Sequence, residues 1–159
     1  MRFDLTLYLV RYSTGLSEDE FLRRLGQSLR GGVTLLQLRE KNRTTLEYYE
    51  LARKVKKLTD ADGVPLMIDD RVDIALAVDA AGVHVGAEDM PVREARRLMG
   101  PDKIVGATAK RVDTAMQAEA DGADYLGVGA IYPTTTTVKT VLTSVETMTD
   151  ICAHASIPV

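Results

Sequence analysis

The sequence predicts an α/β fold, a parallel (β/α) barrel, and three observations carry that reading. Short apolar runs alternate with amphipathic helical patterns along all 159 residues, which is the pattern of a parallel sheet covered by helices. Residue types able to do chemistry stand at the ends of several different apolar runs, as they do on the C-terminal rim of a barrel. No Gly-x-Gly-x-x-Gly turn follows the first run, so a dinucleotide-binding sheet lacks its signature.

The first strand reads over Leu5–Val10. Ser17 opens the first helix, and Glu20 three residues on gives a capping box. Phe21, Leu22, Leu25 and Leu29 supply its apolar face, Gly31-Gly32 ends it, and Val33–Gln37 follows as the second strand. Thr44 and Glu47 form another capping box, with Leu51, Val55 and Leu58 as the apolar stripe. Further strands read at Val64–Ile68, Gly82–Val85, Ile104–Ala107 and Asp124–Val128, with a helix over Val112–Ala120. Ala61-Asp62-Gly63-Val64, Ala80-Ala81-Gly82-Val83 and Ala120-Asp121-Gly122-Ala123 make a weak internal repeat. In each, a helix stops at a glycine able to take the left-handed C′ conformation and a strand starts at once.

Ile157-Pro158-Val159 starts a seventh strand, so the chain covers about six and a half of the eight βα units of such a barrel. Residues 1–159 are therefore expected to form a single barrel domain with its C-terminal end missing. The working protein is expected to run roughly fifty residues further, because a barrel cut there leaves strand edges that invite self-association.

Composition narrows the class. The chain is 45% hydrophobic and 27% charged, with a formal net charge of −3 and both signs interspersed. No basic stripe points to nucleic acid, and no apolar run approaches a membrane span. A signal-peptide pattern is not expected. A single cysteine, Cys152, excludes an intrachain disulfide and fits a reducing, cytoplasmic compartment. It continues the helical pattern of Met148 and Ile151 and is expected to pack in the core. Two histidines and one cysteine without ligand spacing argue against zinc. His84 reads as interior to the fourth strand, and His154 as helical surface.

Three motifs remain. Ile68-Asp69-Asp70-Arg71-Val72 and Gly86-Ala87-Glu88-Asp89-Met90 each follow a buried-strand pattern. Either aspartate alone reads as a cap of the next helix. Together, Asp70 and Asp89 read as oxygen ligands for Mg²⁺, which keeps waters and binds substrate phosphates. Gln37-Leu38-Arg39-Glu40-Lys41 closes the second strand, and period-two alternation puts Gln37, Arg39 and Lys41 on one side. Arg and Lys in that spacing are commonly solvated surface; beside two acids at a strand end they suit a metal diphosphate. Gly127-Val128-Gly129 with Thr134-Thr135-Thr136-Thr137 offers backbone and hydroxyls for a second phosphate, or else a plain loop. Thr108 is a further hydroxyl at a strand end.

Leu35 to Lys41, Ile68 to Ala77, Gly82 to Gly86 with Glu88-Asp89-Met90-Pro91, Gly122 to Gly129, and Tyr132-Pro133-Thr134 resemble the thiamine phosphate synthase family in order and spacing. The resemblance implies a TIM barrel that joins hydroxymethylpyrimidine diphosphate to hydroxyethylthiazole phosphate and releases pyrophosphate. By position it implies that Gln37, Arg39 and Lys41 bind the pyrimidine substrate and its diphosphate, Arg39 and Lys41 being catalytic. It further implies that Asp70 and Asp89 hold Mg²⁺, that Thr108 stands at a serine position beside the diphosphate, and that Thr134 and Thr136 bind the thiazole phosphate. The implied partners are these small molecules, with no nucleic acid and no membrane; a homo-oligomer is left open.

Four departures from the family pattern stand out. Asp69 occupies the usual asparagine position and is assigned to the pyrimidine diphosphate. Ala87 replaces a usual glutamine. Thr137 occupies a lysine position, for which Lys139 is the substitute. The last strands, with a glycine-rich phosphate turn, are absent. The implied chemistry has Mg²⁺, Arg39 and Lys41 neutralise the leaving pyrophosphate while the aminopyrimidine carries a benzyl-like cation that the thiazole nitrogen captures. Rival readings are a thiazole tautomerase-like paralogue, against which Asp70 and Asp89 argue, a non-catalytic phosphate-ligand binder, and a Schiff-base aldolase through Lys41.

Overall fold

The structure, a computed structural model, describes residues 3–133 and 142–159. Strands and helices alternate: β1 (Tyr8–Arg11), α1 (Glu18–Arg30), β2 (Leu35–Leu38), α2 (Thr45–Ala61), β3 (Leu66–Asp69), α3 (Val72–Ala77), β4 (Gly82–Val85), α4 (Val92–Met99), β5 (Ile104–Thr108), α5 (Val112–Ala120), β6 (Tyr125–Gly127) and α6 (Val145–His154). The α/β class and all six strands are where the sequence puts them, to within three residues at each end. The chain divides into two compact units, one ending at Val83 and the other starting at His84.

In the first unit β1, β2 and β3 pair in parallel, with Tyr8 opposite Leu35, Arg11 opposite Leu38, and Leu38 opposite Ile68. All four residues of β2 and all four of β3 are buried, as in parallel strands covered on both faces; Gln37 and Asp69 are the polar residues among them. Leu25 and Leu29 of α1 and Leu51, Ala52 and Val55 of α2 belong to the same buried set. In α2 the buried face runs through Tyr48, Leu51, Ala52, Val55 and Thr59. The expected stripe member Leu58 lies only partly inside.

In the second unit β5 and β6 pair in parallel, Gly106 opposite Tyr125 and Thr108 opposite Gly127. Their small-residue core joins Ala107, Ala109, Ala115, Ala118, Ala123, Leu126 and Ile151. Ile151 is the buried residue of α6. Cys152 is exposed, contrary to the core position expected for it: one residue on turns the side chain about 100° away from Ile151. At Ile157–Val159 there is no regular strand, yet Leu126 N donates to Pro158 O at 2.8 Å.

Local chemistry explains the shifted boundaries. Asp4 Oδ1 accepts from Thr6 N at 2.7 Å, an Asx-type turn that delays β1 to Tyr8. Thr44 and Glu47 make the full capping box. At α1 only half of one forms: Ser17 Oγ accepts from Glu20 N at 3.3 Å, while Glu20 is drawn to Arg23 and Arg24 at 2.7 and 2.6 Å. The repeated helix stop is real. Val64 N reaches Thr59 O, Ala80 N reaches Ala75 O and Ala123 N reaches Ala118 O, at 2.9, 2.9 and 3.0 Å, the six-to-one bond of a Schellman cap. Gly63 and Gly122 supply the left-handed residue at φ +68° and +102°, but after α3 it is Asp79, at +53°. Gly82 instead opens β4.

Arg96 ties the second unit together. Its Nε donates to Gly122 O at 2.9 Å, its Nη1 to Gly100 O and Lys103 O at 2.8 and 2.7 Å, and its Nη2 to Asp124. Asp124 in turn accepts from Val105 N at 2.8 Å, so one guanidinium joins the end of α4 to the starts of β5 and β6. A lysine has no planar fork to replace it. Arg96→Lys is expected to lower stability by about 2–4 kcal/mol in urea unfolding; a loss below about 0.5 kcal/mol would show this network to be ordinary surface.

Candidate active site

The parallel register builds the site in the first unit. One step beyond the Leu38–Ile68 pair stand Arg39 and Asp69, side by side at the C-terminal ends of β2 and β3. Asp69 Oδ2 lies 3.3 Å from Arg39 Nε and 3.2 Å from Lys41 Nζ. Lys41 Nζ also donates to Asp70 Oδ2. The Asp69 side chain is 7% exposed, whereas Lys41 is 44% exposed, so a buried carboxylate anchors two cations whose heads reach toward solvent. Burial, the largest influence, pulls the Lys41 pKa down, but its hydrogen bond to Asp70 and the charges of Asp69 and Asp70 outweigh it and hold the pKa above the ordinary lysine value.

Alternation does the sorting. Glu40, between the two cations, turns the other way: its Oε1 accepts from Ser13 N at 2.7 Å and its Oε2 lies 3.4 Å from Arg43 Nε. Arg43 Nη2 donates to Ser13 Oγ at 2.9 Å, fastening the segment after β2 to the segment after β1. Gln37 is 4% exposed, and its Nε2 donates to Tyr8 Oη at 2.5 Å.

Asp70 has φ +61°, in the left-handed region, and Arg71 N closes the turn onto Asp69 O at 2.7 Å. It does not cap α3, whose N-cap is Arg71 without a side-chain bond. Strain of this kind collects at functional sites. In the second unit Asp89 Oδ2 accepts from Gly86 N at 2.8 Å, closing the turn after β4, and α4 likewise has no side-chain cap. Neither aspartate is the N-cap residue of the helix that follows it.

Thr108, at the end of β5, lies 2.8 Å from His84 Nε2, and His84 Nδ1 lies 2.9 Å from Tyr125 Oη. A Cβ at Gly106 would overlap the Tyr125 ring, so this glycine makes the space for it. His84 is indeed interior to its strand, 9% exposed, but it holds a candidate site hydroxyl, which the sequence reading did not assign to it. Thr134, Thr136 and Lys139 lie outside the described residues. Among the described residues no group of three or more His, Cys, Asp or Glu gathers as a metal centre. The Asp70 carboxylate, 20% exposed at a turn, fits an ion such as Mg²⁺ that takes few protein ligands and keeps waters or phosphate oxygens.

Two cations and two carboxylates thus meet at the ends of two adjacent parallel strands of an α/β chain, a charge arrangement that suits a metal-bound phosphate ligand. The sequence model of the thiamine monophosphate synthase family matches residues 7–159, and the chain belongs to that family. It is 55% identical over 159 residues to thiamine-phosphate synthase of Enterococcus faecalis, covering 100% of this chain and 75% of that one. It is 53% identical over 155 residues to thiamine-phosphate synthase 2 of Streptococcus pneumoniae, covering 98% and 74%. The solved thiamine phosphate pyrophosphorylase from Pyrococcus furiosus matches with TM-score 0.84 at 37% identity, over 99% of this chain and 74% of that one.

The left-handed turn is testable by itself. Asp70→Gly and Asp70→Ala both remove the carboxylate, but only alanine meets the steric penalty at positive φ. The glycine variant is expected to be the more stable by about 1 kcal/mol in urea unfolding. Equal stabilities would mean that Asp70 is not held in this conformation.

Proposed function

We propose that this chain condenses hydroxymethylpyrimidine diphosphate with hydroxyethylthiazole phosphate, giving thiamine phosphate and pyrophosphate. The observation that carries the reading is the convergence of Arg39 and Lys41 on Asp69 and Asp70 at two adjacent strand ends, in a chain of this family. Mg²⁺ is the proposed cofactor, with Asp70 as a ligand; Asp89, in the other unit, keeps the ligand role that the resemblance gives it. When bound, the ion supplies positive charge to the diphosphate.

The residues' own part follows from the charges. Arg39, Lys41, Asp69 and Asp70 sum to zero, so a diphosphate brought with a divalent cation meets a neutral cluster. Asp69 keeps both cations in place before substrate arrives. Arg39 and Lys41 can then turn donors toward the leaving pyrophosphate, where charge grows as the carbon–oxygen bond breaks. Such preorganised donors stabilise the transition state more than the ground state. No proton needs to move in the bond-breaking step. Gln37 and Asp69 are proposed to contact the pyrimidine, and Thr108 the diphosphate as a hydroxyl aligned by His84. Thr134 and Thr136 on the thiazole phosphate, Lys139 on the diphosphate, a (β/α)8 barrel of which this chain supplies about six and a half units, and a cytoplasmic setting belong to the same proposal. Among the described residues no helix is long and apolar enough to cross a membrane.

The test is pyrophosphate release from the two substrates with Mg²⁺. Arg39→Ala and Lys41→Ala are each expected to raise the barrier by about 2–4 kcal/mol, the usual loss of a preorganised partner to a developing anion. In calorimetry the binding loss should fall on the diphosphate substrate. A loss falling on the thiazole phosphate would mean that the two subsites are exchanged.

A further inference from the structure

The one buried hydroxyl of α2 that leaves its own helix is Tyr48. Its side chain is 1% exposed, and a phenylalanine would fill the same volume without a polar atom to satisfy. The hydroxyl donates to Leu38 O at 2.7 Å and lies 3.4 Å from Asp69 O. Those are the last carbonyls of β2 and β3, and the next residues along the chain are Arg39 and Asp70. The hydroxyl of Thr59, equally buried on the same face of α2, donates within the helix, to Lys56 O at 3.0 Å.

We infer that Tyr48 is a positioning residue for this site: its hydroxyl pins the ends of β2 and β3 together and so sets the spacing between the cations and the carboxylates. A buried phenol must find a partner, and here the partners lie where β2 and β3 end, at Leu38 O and Asp69 O and at the Glu40 backbone just beyond β2. The contact acts on backbone, so it moves Arg39 and Lys41 as a group relative to Asp69 and Asp70. Burial first, and then the charge of Asp69, push the phenol pKa far up, so it stays a neutral donor under working conditions. A displacement of one ångström at such a site lowers turnover strongly even when the fold is intact. Tyr48 touches no reacting atom; it acts through the strand ends.

The inference rests on the proposed reaction only for what the cluster binds, and the experiment separates the two. Tyr48→Phe and Thr59→Val each delete one buried hydroxyl from the same helix face. Both are expected to lose stability in urea unfolding, but only Tyr48→Phe is expected to lose function. Its kcat should fall about tenfold with KM for the pyrimidine diphosphate changed much less, and its affinity for inorganic pyrophosphate with Mg²⁺ should drop severalfold in calorimetry. Thr59→Val should keep wild-type values of all three. Tyr48→Phe with kcat and pyrophosphate affinity within twofold of wild type would overturn the inference. So would equal functional losses in the two variants, or failure of Tyr48→Phe to fold, which would make the hydroxyl a requirement of the fold. A wild-type chain that binds pyrophosphate in a Tyr48-dependent way but makes no thiamine phosphate would overturn the proposed reaction and leave Tyr48 its role.

Discussion

The Asp69 carboxylate is the constraint on which the site depends. It is nearly buried and ion-paired to both Arg39 and Lys41, and a buried charge of this kind is costly unless compensated. The pairing therefore works in both directions. The cations make it possible for Asp69 to sit inside the strand end, and Asp69 gives the cations a fixed place. An asparagine at this position would offer hydrogen bonds but no charge. In this chain the anchor is ionic, and Lys41 is shared between Asp69 and Asp70.

That arrangement needs the two strands to end in step. The register that sets Leu38 opposite Ile68 brings Arg39 level with Asp69, and the Tyr48 hydroxyl reaches both terminal carbonyls. Around it, Glu40 and Arg43 tie the following segment to Ser13, so that the residue between the two cations is itself held. The second unit repeats the principle with other parts. There a histidine inside β4 reaches the hydroxyl at the end of β5 and the phenol of Tyr125, and Gly106 leaves room for that phenol's ring.

Much of this was legible in the residues, for identifiable reasons. Parallel strands under helices are short and mainly apolar, so all six stand out in the sequence, and period-two alternation puts Arg39 and Lys41 on one side and Glu40 on the other. What escaped was geometry set at a distance or by competition. Asp70 and Asp89 read singly as caps and together as ligands, yet the N-cap residues are Arg71 and Pro91, and the two turns close on Asp69 O and Gly86 N. Aspartate tolerates the left-handed region, so nothing in the sequence marked Asp70 as taking it. Glu20 looked like half of a capping box, but arginines three and four residues on compete for it. Tyr48 and Tyr125 went unassigned because their partners, a pair of strand-end carbonyls and a buried imidazole, are far away in the chain. Their signal was present only as a phenol at a core position.

Asp69 and Asp70 together hold Lys41 as a charged, preorganised group. The most direct measurement is the Lys41 pKa, followed by NMR on the side-chain carbon next to the ammonium as pH rises. A value above the ordinary lysine range of about 10.4 in the wild type, falling in Asp69→Asn and falling again when Asp70 is also made asparagine, is the expected result. A wild-type value at or below that range, unmoved by either substitution, would show that the two carboxylates do not hold the Lys41 charge.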